Sequence, residues 1–575
     1  MIHYDVELHD LHAHQYRVTL TAPQPAAQQR ISLPVWIPGS YLVREFGRHL
    51  SALQARQGRK AVALQQIDKA TWQADCSGRA ALTVSYLVYA FDTSVRAAFL
   101  DAARGFFNGT SLCLLVEGRE REPHGLRLRR LPRGWSVATA MPATGPLDYV
   151  AEDYDELVDH PFELGRFWRG SFDLGGVAHE FVVAGAWPGM DGERLLADTR
   201  RICQTQIAFW HGRRKPKPPF DRYLFLLNAV EDGHGGLEHR ASTALIAARR
   251  QLPRLGQDPA GEGYTSLLGL ISHEYFHAWN VKRMRPRELV PIDYRQENYT
   301  ALLWFFEGFT AYYDDLMVLR AGLIDAPTYL NLVAKTINGV AATPGRRVQS
   351  VAQSSFDAWV KYYRSDENTP NATVSYYTKG SMVAMALDLT LRKERRGTLD
   401  DVMQLLWRTH RDGPIDEQDI AAALRAVGGR SFAKELAAWV HGTDDLPLPS
   451  LLDAAGVAQR QSALPFSAAL GLRLSEGALS GVQIKSVLAG SAASEAGLSA
   501  GDELLAVNGW RLRRLDDAQL WLTAGAPFEL LLVRDQQVRT QVVRVPTSAA
   551  ETLSLSVLAK PLPAAASLRR GWLGA

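Results

Sequence analysis

The 575 residues are 46% hydrophobic and 22% charged, the composition of an ordinary globular protein long enough for several domains. Lys and Arg number 64 against 61 Asp and Glu, which excludes a general electrostatic attraction to nucleic acid or to an anionic membrane. The three cysteines are few and far apart, so a disulfide framework is not expected. Because the chain shows neither a leader-like N-terminus nor a run of about 18 apolar residues, we expect a cytoplasmic protein.

Short runs that alternate apolar and polar side chains fill the chain up to about residue 165. His14–Leu20 and Ala81–Val88 are examples, and the turn residues between such runs predict an all-β domain. The segment Trp36–Tyr41 breaks the alternation with a Pro-Gly turn among aromatic side chains. A turn packed on the core is the favoured interpretation, and a position beside a functional cleft is the alternative.

A glycine-rich segment follows the run Tyr223–Val230, whose apolar residues predict a strand buried on both faces. The segment contains Gly235, Gly236 and Glu238. Glycines beside an acid let the backbone approach a ligand closely while the carboxylate is presented to it. An ordinary glycine-rich hairpin turn explains the same residues equally well.

Two histidines stand four residues apart in an apolar stretch that predicts a helix from Thr265 to near Lys282. At that spacing His273 and His277 project from one helix face toward a single metal ion, as in zinc peptidases. Glu274 between them is placed to take a proton from a water molecule. Two histidines without a metal are the alternative, although burying them beside a carboxylate is costly.

Glu307 is the only charged residue between Tyr299 and Tyr313, a stretch otherwise rich in aromatic side chains. A carboxylate in such surroundings needs a cation or a proton. It lies 30 residues after His277, which leaves room for a second helix to return beside the first. We expect Glu307 to be the third zinc ligand, with an ordinary buried ion pair as the alternative.

Helical segments continue to about residue 445, and one of them opens with Tyr376 and Tyr377. Adjacent tyrosines are usually packing residues, but a hydroxyl directed at a metal can stabilise the oxyanion of a tetrahedral intermediate. The stretch 444–452 is interpreted as a linker, and 549–575 as a C-terminal tail.

Taken together, the motifs resemble those of the M61 glycyl aminopeptidases, a family similar to thermolysin and to the M1 aminopeptidases. The motifs that carry the resemblance are Trp36-Ile-Pro-Gly-Ser-Tyr41, Gly235-Gly-Leu-Glu-His239, His273-Glu-Tyr-Phe-His277, Trp304-Phe-Phe-Glu-Gly308, Ser355-Phe-Asp-Ala-Trp359 and Tyr376-Tyr-Thr-Lys-Gly380. The resemblance implies a multidomain α+β fold with a β-rich N-terminal domain (1–165), a thermolysin-like, mostly α catalytic domain (166–450) and a PDZ domain (461–548).

The resemblance also implies the roles of the residues at the zinc site. His273, His277 and Glu307 are the expected ligands of one Zn²⁺, and Glu274 is the expected general base. Tyr377 matches the tyrosine that stabilises the transition state in M1 enzymes, and its neighbour Tyr376 remains an alternative. The implied activity is removal of Gly and Ala from the free N-terminus of peptides.

Two other regions take expected binding roles from the resemblance. Gly235, Gly236 and Glu238 look like the M1 loop that lies beside the substrate and holds its α-amine, although His239 stands where those enzymes usually have Asn. The expected carboxylate-binding loop of the PDZ domain is Leu470-Gly471-Leu472, which would take a C-terminal peptide. A zinc endopeptidase, or a PDZ-mediated peptide-binding protein with little hydrolytic activity, is the alternative function.

Overall fold

The computed structural model describes residues 1–212, 217–257, 261–411, 413–477, 479–547 and 551–574. The chain folds into two compact units. The first comprises Met1–Thr300, Tyr313–Leu323 and Met403–Asp416, and the second comprises Ala301–Tyr312, Ile324–Val402 and Glu417–Ala575. The expected α+β class is confirmed, with a β-rich N-terminal region, a helical central region and a PDZ domain near the C-terminus.

The N-terminal region is built mainly from strands. Its elements are β1 (Ile2–Asp10), β2 (Gln15–Ala22), β3 (Gln28–Ser32), β4 (Leu50–Gln57), β5 (Lys60–Val62), β6 (Leu64–Gln66), β7 (Thr71–Asp75), β8 (Leu82–Tyr89), β9 (Ala98–Leu100), β10 (Arg104–Phe107), α1 (Gly109–Leu112), β11 (Leu115–Val116), β12 (His124–Arg129), β13 (Ser136–Ala138), β14 (Ala143–Gly145), β15 (Asp148–Ala151), α2 (Tyr154–Val158) and β16 (Phe162–Gly165). Its largest sheet has eight strands in the order β14-β15-β12-β1-β2-β8-β4-β5. Buried and partly exposed side chains alternate along β1 and β2, as their sequences predict.

The central region begins with strands and continues as helices. Its elements are β17 (Trp168–Leu174), β18 (Val177–Ala184), α3 (Gly192–His211), β19 (Arg222–Val230), β20 (His234–Glu238), β21 (Ser242–Ala248), α4 (Glu262–Phe276), β22 (Arg285–Pro286), α5 (Leu303–Phe306), α6 (Gly308–Arg320), α7 (Ala326–Ala341), α8 (Val351–Phe356), α9 (Thr369–Ala372), α10 (Thr378–Lys393), α11 (Leu399–His410), β23 (Pro414–Ile415), α12 (Glu417–Gly428) and α13 (Ala433–Trp439). Five strands form a sheet in the order β17-β18-β19-β21-β20. This order leaves β20 at the sheet edge, and β21 is its antiparallel partner among the described strands.

Helix α4 ends earlier than predicted, and the second predicted helix is divided in two. Helix α4 ends at Phe276, and His277 is its C-terminal cap, so the prediction of a helix to near Lys282 is wrong. The His277 ring accounts for part of the difference, because its Nδ1 lies 2.8 Å from the carbonyl oxygen of Asn280 in the turn that follows. The predicted second helix is divided at Glu307, which joins α5 to α6.

The C-terminal region contains a second, separate set of strands. Its elements are α14 (Leu448–Ala454), β24 (Val457–Ala463), α15 (Phe466–Ala469), β25 (Leu472–Gly477), β26 (Gly481–Val487), α16 (Ala492–Glu495), β27 (Glu503–Val507), β28 (Trp510–Arg511), β29 (Pro527–Arg534), β30 (Gln537–Arg544), β31 (Glu551–Val557) and α17 (Pro563–Leu573). The sheet of the PDZ domain has the order β25-β26-β27-β29-β30, and β28 pairs with β27. Asn508 and Gly509 both have positive φ angles, as a tight Asn-Gly turn between β27 and β28 requires.

Two expectations for the C-terminal region are corrected. The stretch expected to be a linker contains α14, because Leu448, Leu451 and Leu452 are buried on one helix face. The stretch 549–575 contains ordered structure where a tail was expected. Strand β31 pairs with β24 along seven residues, and Trp572 of α17 is 1% exposed.

Within the described residues, no helix is long and apolar enough to cross a membrane.

Candidate active site

The two histidines of the predicted zinc motif lie at the C-terminal end of α4. The backbone amide of His277 donates to the carbonyl of His273 over 3.3 Å, so the pair keeps helical spacing although His277 is the cap. Their ring centroids are 4.7 Å apart, and the ring planes are nearly perpendicular at 85°. The rings therefore stand side by side, as two ligands of one ion require.

A hydrogen bond at Nδ1 orients each ring. His273 Nδ1 lies 2.9 Å from Oδ2 of Asp314, and His277 Nδ1 lies 2.8 Å from the carbonyl oxygen of Asn280. Both bonds use Nδ1, so a metal held by these rings would be ligated through Nε2. Our sequence reasoning missed Asp314. The signal for it is the spacing, because Asp314 follows Glu307 by seven residues, two turns along the same helical stretch.

Glu307 is 2% exposed and stands between α5 and α6 with helical backbone angles. Its own amide donates to the carbonyl of Leu303, and its carbonyl accepts from Ala311, so α5 and α6 continue one another. Steric crowding explains why the residue after Glu307 is a glycine. A Cβ on Gly308 would come within 2.6 Å of the Cα of Gly380, which lies in the first turn of α10.

His273, His277 and Glu307 form a group whose ligand atoms all lie within 4.8 Å of one another. Two imidazoles and a carboxylate are a donor set that zinc accepts, and three protein ligands leave a fourth position for water or substrate. The Asp314 carboxylate is the hydrogen-bond partner that a metal-binding histidine normally has at its other ring nitrogen. The residues of this site therefore fit a catalytic zinc ion.

The glycine-rich segment lies against the candidate base. It forms the edge strand β20 and not a hairpin turn, and a Cβ on Gly236 would come within 2.1 Å of Glu274 Oε1. Glu238, at the end of the same strand, is 4% exposed. Glu238, Glu274 and His277 form a second group with ligand atoms within 4.8 Å of one another. The structure thus brings Glu238, Gly236 and Glu274 together.

The Pro-Gly turn of the N-terminal region is the second feature that contacts Glu238. Gly39 has φ +92, and a Cβ at this position would lie 2.5 Å from both carboxylate oxygens of Glu238. Only glycine allows so close an approach with this backbone angle. The turn is also packed on the core, since Trp36 and Tyr41 are buried, so the favoured interpretation agrees with the structure and the contact with Glu238 agrees with the alternative.

His239, which stands where M1 enzymes usually have Asn, points into a buried ionic network. Its Nδ1 lies 3.3 Å from Oδ1 of Asp159, which also pairs with Lys282 Nζ at 2.6 Å. Burial raises the pKa of Asp159, but Lys282 and His239 outweigh it and hold the pKa well below its usual range. Burial lowers the pKa of His239 and keeps its ring neutral. His239 thus fixes the backbone that follows Glu238.

Tyr377 caps the N-terminus of α10 and is half-buried, whereas Tyr376 is fully buried. The two rings stack with centroids 4.7 Å apart, and the hydroxyls of Tyr377 and Tyr363 are 3.3 Å apart. Burial, followed by the nearby Glu307 carboxylate, raises the pKa of Tyr377 well above its usual value. Tyr377 therefore stays protonated at neutral pH and can donate a hydrogen bond.

The expected carboxylate loop of the PDZ domain has its amides largely engaged. The amide of Leu470 donates to the carbonyl of Phe466 over 2.9 Å, and the amide of Gly471 donates to the carbonyl of Ala468 over 3.0 Å. These bonds end helix α15. Of the three loop residues, only Leu472 lies in the following strand, β25. The geometry does not offer the first two amides to a peptide carboxylate.

Three sequence profiles match the chain. They are the Peptidase M61 N-terminal domain over residues 3–166, the M61 glycyl aminopeptidase domain over 266–383 and the PDZ domain over 465–524. The solved structure of an aminopeptidase N family protein from Idiomarina loihiensis is 35% identical, with 100% of both chains covered and a TM-score of 0.94. The chain belongs to the M61 peptidase family. By this membership, the M61 chain is a zinc metallopeptidase of the aminopeptidase type.

More distant solved structures are also similar to this M61 peptidase. An M1 zinc metallopeptidase from Deinococcus radiodurans has 14% identity, with 78% of this chain and 95% of that chain covered and a TM-score of 0.47. Aminopeptidase A from Legionella pneumophila, solved in complex with aspartic acid, has 10% identity, 96% and 57% coverage and a TM-score of 0.49. No curated protein matches the chain.

Proposed function

We propose that this M61 peptidase removes small N-terminal residues, Gly and Ala, from peptides with a free N-terminus. One zinc ion per chain is held by Nε2 of His273, Nε2 of His277 and the carboxylate of Glu307. When bound, the ion supplies Lewis acidity toward the scissile carbonyl and lowers the pKa of water at the site. The preference for Gly and Ala rests on the family resemblance.

Protein groups carry out the proton transfers of the proposed reaction. Glu274 accepts a proton from the attacking water and passes it to the nitrogen of the leaving amine. Tyr377, protonated because its pKa is raised, donates a hydrogen bond to the carbonyl oxygen as negative charge develops there. Tyr376 supports Tyr377 by stacking on its ring.

The position of Glu238 carries the proposal that the enzyme is an exopeptidase. Its carboxylate forms one group with the Glu274 carboxylate and a ring nitrogen of His277, and the ligand atoms lie within 4.8 Å of one another. When the bond after the first residue is cleaved, the free α-amine is separated from the scissile carbonyl by one Cα atom. In any later residue, the nitrogen at this position is an uncharged amide. A buried carboxylate this close to the base therefore suits the ammonium of an N-terminal residue, and an acetylated N-terminus offers it no positive charge.

The experiment compares alanine p-nitroanilide with its N-acetylated form, for the wild type and for Glu238→Gln. The wild type should cleave only the free amine, and Glu238→Gln should reduce that rate by about 10²-fold, because a charge-assisted contact is lost. The same assay with the glycine and leucine p-nitroanilides tests the preference for small residues. Cleavage of the acetylated substrate at a comparable rate would support an endopeptidase and contradict the proposal.

A further inference from the structure

Arg96 places a guanidinium beside β20 that the proposed reaction does not use. It stands between β8 and β9, and its Nη2 donates to the carbonyl of Gly236 over 3.0 Å. Among the residues that the structure describes, this is the only hydrogen bond of its side chain, and it has no ion pair there. A guanidinium has five N–H donors, so most of the hydrogen-bonding capacity of Arg96 is unused.

Three charged groups follow one another along the edge strand. Glu238 stands at its end, Glu274 lies against Gly236, and the Arg96 Nη1 and Nη2 atoms lie 3.9 Å from the Cβ position of Gly235. Successive residues of an extended chain are about 3.3–3.6 Å apart. The Cβ positions of Gly235 and Gly236 point to opposite faces of the strand, but the bond from Arg96 Nη2 to the Gly236 carbonyl brings the guanidinium to the residue that contacts Glu274. By position along β20, the anion at 238, the base at 236 and the cation at 235–236 therefore follow one another in that order.

A peptide aligned on this order presents matching groups. With its α-ammonium at Glu238 and its scissile bond at Glu274, the peptide continues toward Gly235 and Arg96. In a dipeptide, the C-terminal carboxylate lies one residue step beyond the scissile bond. A guanidinium binds a carboxylate through parallel charge-assisted hydrogen bonds.

We propose that Arg96 binds the C-terminal carboxylate of dipeptide substrates, so that the enzyme prefers dipeptides to blocked or longer peptides. The proposal rests on the proposed aminopeptidase function and adds a substrate class to it. Because the carboxylate position is fixed by the peptide backbone, the preference does not depend on the side chain of the second residue.

The test is the ratio of kcat/KM for Ala-Ala to kcat/KM for Ala-Ala amide, which lacks the C-terminal charge. Wild type should prefer the free acid by about 10- to 100-fold, the range expected for one charge-assisted contact. Arg96→Met keeps the length of the side chain and should bring the ratio close to one, and Arg96→Lys should retain part of the preference. Arg56→Met, at an exposed arginine of β4, is the matched control and should keep the wild-type ratio.

Two results would overturn the proposal while aminopeptidase activity is retained. One is a wild-type ratio near one. The other is an Arg96→Met variant that loses activity on both substrates by the same factor, which would make Arg96 a support for β20 alone. Wild type that cleaves neither dipeptide nor alanine p-nitroanilide would contradict the proposed function itself, and the Arg96 proposal with it.

Discussion

At the scale of single residues, the zinc site is arranged by contacts behind the ligands. Asp314 and the carbonyl of Asn280 hold the two rings through Nδ1, so both imidazoles are oriented by the protein itself. A ligand that is already in place loses little conformational entropy when the metal binds. The affinity for zinc should therefore depend on these partners as well as on the ligands.

Asp314→Asn tests this dependence. The amide cannot hold His273 through a charged contact, and we expect the affinity for zinc to fall by about 10- to 100-fold. Competition with a chelator measures this affinity directly. Asp232→Asn is the control, since its side chain is 83% exposed and should not affect zinc binding. Unchanged affinity in Asp314→Asn would show that this carboxylate does not orient the ligand.

At the scale of elements, the position of Glu307 depends on a close contact between helices. Gly308, directly after Glu307, meets Gly380 of α10, and a Cβ on Gly380 would lie 2.8 Å from the carbonyl oxygen of Trp304. The atoms in the way are backbone atoms, which cannot turn aside as a side chain can. The two glycines therefore set the distance between Glu307 and the tyrosines that open α10.

Gly308→Ala should force these helices apart. We expect a loss of about 1–3 kcal/mol in the free energy of unfolding, the usual cost of overpacking, together with weaker zinc binding. Urea unfolding and zinc content measure the two effects. Gly339→Ala is the matched control, because Gly339 lies inside α7 and no described atom from outside that part of the helix comes within 4 Å of its Cβ position. Identical behaviour of the two variants would contradict the role of the close contact.

At the scale of the whole molecule, the C-terminal segment belongs to the folded structure. Strand β31 pairs with β24, and the indole N–H of Trp572 donates to the hydroxyl of Tyr312 over 3.1 Å. Within the same unit, Asn371 of α9 makes two hydrogen bonds to the PDZ domain. Its side chain accepts from the amide of Ala489 and donates to the carbonyl of Val487. The last residues thus stabilise the unit that carries Glu307.

Local signals in the sequence account for what could be predicted. Alternation predicts the N-terminal strands, and the four-residue spacing of His273 and His277 places the zinc motif on a helix. The spacing from Glu307 makes Asp314 a candidate, but its pairing with His273 depends on how two segments 41 residues apart pack together, which local spacing does not determine. For the same reason, the pairing of β31 with β24 was not predicted from a segment rich in Ala and Ser.

The contact between Gly39 and Glu238 shows the same limit. The Pro-Gly turn is evident from the sequence, but its neighbour lies about two hundred residues away in the chain. The local sequence of Trp36–Tyr41 therefore predicts the turn and its packing on the core, but it does not predict which residue the turn contacts. The structure adds the partner, and with it a reason for glycine at that position.

The most direct test of the account measures zinc content and turnover of alanine p-nitroanilide for Glu274→Gln and Glu307→Gln together. Glu274→Gln should keep one zinc per chain and lose turnover by about 10²- to 10⁴-fold, because it removes the base and leaves the ligands. Glu307→Gln should lose zinc and turnover together, because it removes a ligand. Full turnover in Glu274→Gln, or full zinc occupancy and turnover in Glu307→Gln, would contradict the account.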